Sequence, residues 1–250
     1  MIQVKIHGLE GLKSKLASAP RQIAYATALA LTRTAKAVEE KQKREMRDVF
    51  DRPTPYTLSS TYTKPATKEK LVAEVGLKNF AGKATPAVKF LQAQVRGGSR
   101  RMKRFEKALQ AVGAMPAGFR AVPGDAAQRD QYGNMKPSQI VQILSWFKAF
   151  PEMGYRANMS AKRRASLQKG SKTRQGFAYF AGRPGNRLPD GIWQRFNFAG
   201  GSAIKPVIIF VRSANYKAIY DFDYVSRKVA ERELPDQINA AVAEALRTAR

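Results

Sequence analysis

The chain of 250 residues contains no cysteine and a single histidine, His7. Without cysteine it forms no disulfide, no common structural zinc site and no thiol nucleophile. A lone histidine removes histidine-based metal sites and most serine–histidine chemistry. We therefore expect a protein that has no cofactor and no metal ion and that is not an enzyme.

Long apolar runs are also missing. No stretch approaches the roughly 18 consecutive apolar residues of a membrane-spanning helix. Residues 1–7 lack the apolar core of a signal peptide. We expect a protein that is made in the cytoplasm and has no membrane partner.

Acidic residues are scarce, with 19 Asp and Glu against 45 Lys and Arg, and the net charge is +26. Between Met153 and Pro189 there are nine basic residues and no acidic one. Such one-sided charge repels itself, so it points to a polyanion, an acidic protein partner or disorder. The candidate residues for contact with DNA or with a partner are Arg100, Arg101, Lys103, Arg104, Arg156, Lys162, Arg163, Arg164, Lys169, Lys172, Arg174, Arg183 and Arg187.

Aromatic residues lie among these bases, at Phe177, Tyr179 and Phe180. Basic residues interleaved with aromatic residues fit phosphate contacts combined with stacking of the aromatic rings on nucleobases. No base-reading motif is recognisable, so binding to nucleic acid should be non-specific and dependent on salt. Docking of a basic loop on an acidic protein remains an open alternative.

A few acidic residues could suggest catalysis. Asp221, Asp223 and Glu231 are compatible with a divalent-metal site of a nuclease. Alternating aspartates just before a helix are more typical of a helix cap, which is the interpretation we favour. Asp125 and Asp130 lie in a turn-rich segment and are expected to stabilise turns.

Hydropathy patterns predict the main elements. Alternation predicts a strand over 2–6, and leucines at helical spacing predict a short helix over 9–16. A long helix should run from Pro20 to about Asp48, because this stretch has no internal glycine or proline. We expect its alanines, from Ala24 to Ala30, to pack against the chain's own sheet, with a neighbouring subunit as the alternative.

The C-terminal part has the strongest strand signals. Residues 191–196 and 206–211 should form two strands joined by a turn at Gly200-Gly201, the second one central because it is apolar on both faces. A final helix is expected from about Asp223 to Thr248.

The fold class predicted from these patterns is α+β. A small, mostly antiparallel sheet would pack with the long N-terminal helix and a C-terminal helix, and a large loop-rich basic insertion would interrupt this core. The corresponding domain boundaries are 1–96 for the first part of the core, 97–190 for the basic, loop-rich and helical insertion and 191–250 for the rest of the core.

The order of parts resembles a phage family. The segment from Ile2 to Leu16 leads into Ala24-Tyr-Ala-Thr-Ala-Leu-Ala-Leu-Thr-Arg-Thr-Ala-Lys. Further similar segments are Arg104-Phe-Glu-Lys-Ala-Leu, Asp130-Gln-Tyr-Gly-Asn-Met, Gly154-Tyr-Arg-Ala-Asn-Met and Lys205-Pro-Val-Ile-Ile-Phe-Val-Arg. Together they look like the minor tail protein Z family, the tail-completion proteins of lambda-like phages, and related neck proteins.

The resemblance implies a structural virion protein at the head–tail junction or in the upper tail. It would act in virion assembly as a homo-oligomeric ring around the DNA channel, with a hexamer favoured. Expected partners are further copies of the chain, neighbouring connector, portal or tail proteins, and genomic DNA in the channel. The alternative function is a non-specific DNA-binding or packaging protein, and a metal-dependent nuclease ranks below it.

Overall fold

The computed structural model describes residues 3–6, 20–82, 84–151, 158–182, 188–198 and 200–248. The chain forms two compact units. Unit 1 consists of Met1–Gly98 and Tyr216–Arg250, and unit 2 consists of Ser99–Asn215. Unit 2 is thus inserted into the sequence of unit 1.

The elements follow one another along the chain as β1 (Gln3–Ile6), α1 (Pro20–Val49), α2 (Pro55–Leu58), β2 (Thr61–Lys64), β3 (Ala73–Leu77), α3 (Ala87–Phe90), α4 (Gln92–Arg96), β4 (Gly98–Ser99), α5 (Arg104–Ala111), β5 (Arg120–Pro123), α6 (Pro137–Trp146), α7 (Ala161–Lys169), β6 (Phe177–Gly182), β7 (Gly191–Phe198), β8 (Gly201–Val211), β9 (Asn215–Tyr216) and α8 (Phe222–Thr248). The predicted α+β class, with a long N-terminal helix and a C-terminal helix, is confirmed.

The sheet of unit 1 has three antiparallel strands in the order β1-β3-β2. Val75 lies opposite Val4 on one side and Thr63 on the other. All five residues of β3 are buried, as expected for a central strand. Helix α1 covers this sheet through Leu31, Val38 and Met46, which are fully buried in the same apolar cluster as Val75.

The small residues of α1 pack differently from the expectation. Ala26 and Ala30 are fully buried against Ala241, Val242 and Ala245 of α8. The expectation that these alanines face the sheet is therefore wrong for Ala26 and Ala30. Small side chains let two helix backbones approach closely, so the N-terminal half of α1 serves as the docking surface of α8.

A buried polar cluster fixes α8 on α1 at the other end. The side chain of Gln42 donates to the carbonyl of Phe222 and to the hydroxyl of Ser226, both at 2.8 Å. It accepts from the hydroxyl of Tyr220 at 2.7 Å. All four residues are completely buried. Burial, followed by the nearby charge of Glu45, raises the pKa of Tyr220 above its ordinary value, so its hydroxyl stays protonated and remains a donor.

Unit 2 is built around a four-stranded antiparallel sheet in the order β5-β8-β7-β6. Strands β7 and β8 form a hairpin in which Phe198 lies opposite Gly201, as predicted. The predicted central position of β8 is also confirmed. Trp146 of α6 packs edge-on against Tyr179 of β6, with 5.8 Å between ring centroids, so this helix covers one face of the sheet.

The insertion differs from its expected form in content and in extent. The segments expected to be turn-rich or loop-rich also contain the strands β5 and β6 and the helix α7. Strands β7 and β8, expected in the core that contains the terminal helix, pair with β5 and β6 instead. For this reason the C-terminal boundary of the inserted unit falls at Asn215 and not at residue 190.

Two further expectations complete the comparison. The short helix expected over residues 9–16 lies outside the described residues. In the part of the chain that the structure covers, no helix combines the length and the apolar character needed to cross a bilayer.

We predict that Gln42→Met destabilises the protein by about 3 kcal/mol, because it leaves up to three buried polar groups without a partner at roughly 1–3 kcal/mol each. The measurement is urea unfolding followed by far-UV circular dichroism. Arg44→Met is the matched control, since Arg44 is an exposed residue of the same helix. Equal stability of the two variants would contradict the role given to Gln42.

Candidate nucleic-acid interface

Unit 2 carries the larger share of the excess positive charge. It has 21 Lys and Arg against five Asp and Glu, a net charge of +16. Unit 1 has 24 against 14, a net charge of +10. The charge imbalance found in the sequence therefore belongs mainly to one folded unit.

Two of the five acidic residues of unit 2 form hydrogen bonds within the unit. Glu106 is completely buried. The carboxylate of Asp130 accepts hydrogen bonds from the backbone N–H groups of Tyr132 and Asn134, both at 2.9 Å, which confirms it as a turn-forming residue. The buried carboxylate of Glu106 therefore offsets little of the positive charge on the surface.

Arg100, the first residue of the predicted contact set, belongs to the interior network of Glu106. Its guanidinium donates to Glu106 Oε2 at 3.0 Å and to the carbonyl of Ala121 at 2.9 Å. The backbone N–H groups of Ala121 and Lys103 also donate to the Glu106 carboxylate. Because the Arg100 side chain is only 14% exposed, it offers little surface to a partner.

This network determines the ionisation of Glu106. Burial opposes the charged carboxylate, but the hydrogen bonds from Arg100, Ala121 and Lys103 outweigh it, so the pKa of Glu106 lies below its ordinary value of 4.5. The buried acid stays ionised and connects the start of α5 to β5.

The other members of the first basic cluster are exposed. Arg101 and Lys103 precede α5, and Arg104 is its first residue. Cations at a helix N-terminus are unfavourable because the helix dipole is positive there. The dipole of α5 therefore does not explain this placement.

The second basic cluster lies on α7. This nine-residue helix begins at Ala161, and the hydroxyl of its N-cap residue, Ser160, accepts from the backbone N–H of Arg163 at 3.2 Å. None of its residues is buried, and none is acidic. Lys162, Arg163 and Lys169 are exposed, so three cations project from a short helix into solvent.

Arg164 has a different environment from its neighbours on α7. Its guanidinium lies over the buried indole of Trp146, with 5.7 Å to the ring centroid. The residue is only partly exposed. This cation–π contact holds α7 on the core of unit 2.

The turn after α7 adds two more exposed bases. Ser171 and Arg174 form a bridge, and Lys172 lies between them. Lys172 and Arg174 are both exposed. The remaining predicted contact residues, Arg156, Arg183 and Arg187, lie outside the described residues.

The side chains of β6 alternate between the two faces of the sheet, so the aromatic residues of this strand lie on different faces. Phe177 and Tyr179 are buried in the core, and burial raises the pKa of Tyr179 to about 12. The expectation that these two rings serve for stacking is therefore wrong. Phe180 lies on the opposite face, where the guanidinium of Arg195 is 5.3 Å from its ring centroid.

Sequence reasoning missed three exposed basic residues in unit 2, namely Arg195 of β7, Lys205 of β8 and Arg212, which follows β8. They lie outside the acid-free run that drew attention to the middle of the chain. Between Asp190 and Asp221, however, there is also no acidic residue. Extending the same charge count beyond Pro189 would have found all three.

One of the acidic residues considered for catalysis has a structural role. Asp221 accepts from the backbone N–H of Tyr224 at 3.0 Å, which confirms it as a cap of α8. Within the described ranges there is no group of three His, Cys, Asp or Glu side chains that could hold a metal ion. His7 lies outside these ranges.

A groove of about 690 Å³ in unit 1 has compensated charge. Helices α1 and α8 line it together with Ile219 and Asp221. Lys41 and Glu45 in its wall form an ion pair at 3.4 Å. The groove therefore presents no excess of positive charge to a polyanion.

Comparisons with protein-family models, with curated proteins and with solved structures found no match.

We predict that Glu106→Gln lowers the stability of unit 2 at pH 7 by about 3 kcal/mol, because Arg100 is left buried without its counter-charge. Both tryptophans, Trp146 and Trp193, belong to unit 2, so tryptophan fluorescence during urea unfolding measures this unit.

The pH dependence gives a second measure of the same variant. Since the pKa of Glu106 is lowered by folding, its contribution is complete above pH 4.5 and is lost as the pH falls through the folded-state pKa. The difference in stability between wild type and Glu106→Gln should therefore shrink on acidification. A difference that does not change with pH would contradict the ionised state.

Proposed function

We propose that this chain is a structural virion protein of a tailed phage, at the head–tail junction or in the upper tail. In this proposal unit 1 supplies contacts between copies in a homo-oligomeric ring, and unit 2 contacts DNA in the channel. The observation that carries the proposal is the net charge of +16 on unit 2, whose exposed basic clusters have few acidic neighbours in sequence.

The surface of unit 2 supports contact with a polyanion. Arg101, Lys103 and Arg104 are exposed at the start of α5, and the three cations of α7 are equally accessible. A protein that gained only stability from its surface would mix both signs of charge. Phosphates would relieve the repulsion between these cations and release counterions on binding.

Features of unit 1 support contacts between copies. Among the described residues, six large apolar side chains of this unit are exposed, namely Tyr56, Phe80, Tyr216, Ile219, Tyr224 and Leu246. Strands β1 and β2 are the two edges of its sheet. Exposed apolar side chains and strand edges are the usual material of subunit interfaces.

The mechanism would be mechanical and electrostatic. Contacts to phosphates carry no sequence information, so DNA of any sequence could pass a ring lined by unit 2. Such contacts weaken steeply with salt and can form and break as the DNA slides. The virion position itself rests on the resemblance of the residue pattern to tail-completion proteins.

A second candidate function is a free, non-specific DNA-binding or packaging protein. The exposed bases of α7 favour it equally, because they require only a polyanion. The two functions differ in assembly, since a free DNA-binding protein needs no ring.

We predict that the wild-type protein binds a 30-base-pair duplex and that the triple variant Lys162→Gln, Arg163→Gln, Lys169→Gln binds it more weakly. Loss of three phosphate contacts should reduce the slope of log K against log salt by roughly 3, at about 0.9 per contact. Fluorescence anisotropy between 50 and about 300 mM salt measures both quantities.

The matched control is Lys36→Gln, Arg44→Gln, Arg47→Gln, which removes the same charge from exposed positions of α1. This variant should keep nearly the wild-type slope. Equal losses in both triple variants would show that only net charge matters. Absence of duplex binding at low salt would contradict a DNA contact and favour an acidic protein partner.

We also predict that the purified protein forms a discrete homo-oligomer, for which a ring of six copies is the favoured size. Mass photometry and negative-stain imaging would give its copy number and shape. A monomer at every concentration, combined with absence from purified phage particles, would contradict the virion function. A monomer that still binds DNA would favour the second candidate.

A further inference from the structure

The hairpin of β7 and β8 presents an aromatic ring at its end. Phe198 is the last residue of β7 and its side chain is 53% exposed. A Cβ atom added at Gly200 or Gly201 would lie 3.9 Å from the Phe198 ring. The ring therefore lies beside the glycine turn of its own hairpin, while about half of its surface remains open to solvent.

Asn197 connects this hairpin end to the basic segment around α7. Its backbone N–H donates to the carbonyl of Gly176 at 3.3 Å, and its side-chain amide donates to the carbonyl of Gln168 at 3.5 Å. The side chain of Gln175 donates in return to the Asn197 carbonyl at 3.4 Å. The backbone of Phe198, the next residue, therefore lies near the end of α7 and the turn that follows it.

The segments tied together by Asn197 carry only positive charge. Lys169, Lys172 and Arg174 are exposed between Gln168 and Gly176. Lys205 is exposed and, by the register of Gln194 with Lys205 and of Phe198 with Gly201, shares one face of the hairpin with Phe198. No acidic residue occurs in residues 158–182 or 191–215.

We propose that Phe198 and the basic residues around it form a contact site for nucleic acid that has unpaired nucleobases. In this site the ring of Phe198 stacks on a base, and Lys169, Lys172, Arg174 and Lys205 contact the phosphates on either side. The inference rests on the proposed DNA contact of unit 2 and adds to it the kind of nucleic acid that is preferred.

Several properties favour nucleic acid as the occupant. A single strand offers both a flat π face and closely spaced negative charges, and sites for single strands combine aromatic platforms with basic grooves. The faces of bases inside a duplex are covered by their neighbours, so a ring on a hairpin can reach them only at ends or opened steps. An acidic peptide would satisfy the cations but would leave the exposed ring without a stacking partner.

The test compares Phe198→Ala with wild type on a 30-nucleotide oligothymidine and on a 30-base-pair duplex at the same salt. Loss of one stacked base should weaken single-strand binding about tenfold. The salt slope should not change, because no charge is removed. Duplex binding should change less than about twofold, since it depends on phosphate contacts alone.

Two further variants sharpen the comparison. The variant Phe198→Trp, which keeps an aromatic ring, should bind the single strand about as tightly as wild type. The fluorescence of the added tryptophan should be quenched by the oligonucleotide. Phe80→Ala is the matched control, because Phe80 is 80% exposed in unit 1, and it should leave both affinities unchanged.

The outcomes separate this inference from the proposed function. Duplex binding that persists while Phe198→Ala leaves single-strand binding unchanged would overturn the stacking site alone. Equal weakening on single strand and duplex would also overturn it. No binding of either nucleic acid by the wild type, with binding of polyglutamate instead, would overturn both the site and the DNA contact.

Discussion

The buried amide of Gln42 is the interaction on which the closure of the fold depends. The chain leaves unit 1 at Gly98 and returns at Tyr216, so the returning segment must find α1 again after the whole of unit 2. Gln42 binds Tyr220, Phe222 and Ser226 at once, all without solvent access. An unpaired polar group in this position is costly, and the observed register of α8 on α1 satisfies all of them.

Because the N-terminal and C-terminal parts of the chain form unit 1 by themselves, unit 2 can have a different kind of surface. Its stability comes from an apolar core around Trp146 and Tyr179 and from the buried pair of Arg100 with Glu106. One of its few carboxylates is therefore used inside, where it cannot compensate the surface. The resulting repulsion between exposed cations opposes compactness.

Much of the fold could be predicted because its longest elements have clear periods. Helices α1 and α8 and the hairpin of β7 and β8 follow from apolar spacing and from the Gly200-Gly201 turn. Strand β5 was not predicted because prolines and glycines surround it. Helix α7 was not predicted because it has no buried residue and therefore no apolar stripe. The extent of unit 2 depends on which strands pair, which is a non-local property that spacing along the chain does not contain.

The candidate site was predictable in location but not in detail. Adjacent residues have different environments: Arg100 is held in an interior ion pair, whereas Arg101 is exposed. The aromatics separate in the same way, because alternation along β6 sends Phe177 and Tyr179 into the core. Charge alone cannot distinguish DNA from an acidic protein. An exposed aromatic ring near cations would favour a flat partner, and this proximity arises only because Asn197 brings the end of β7 to the end of α7.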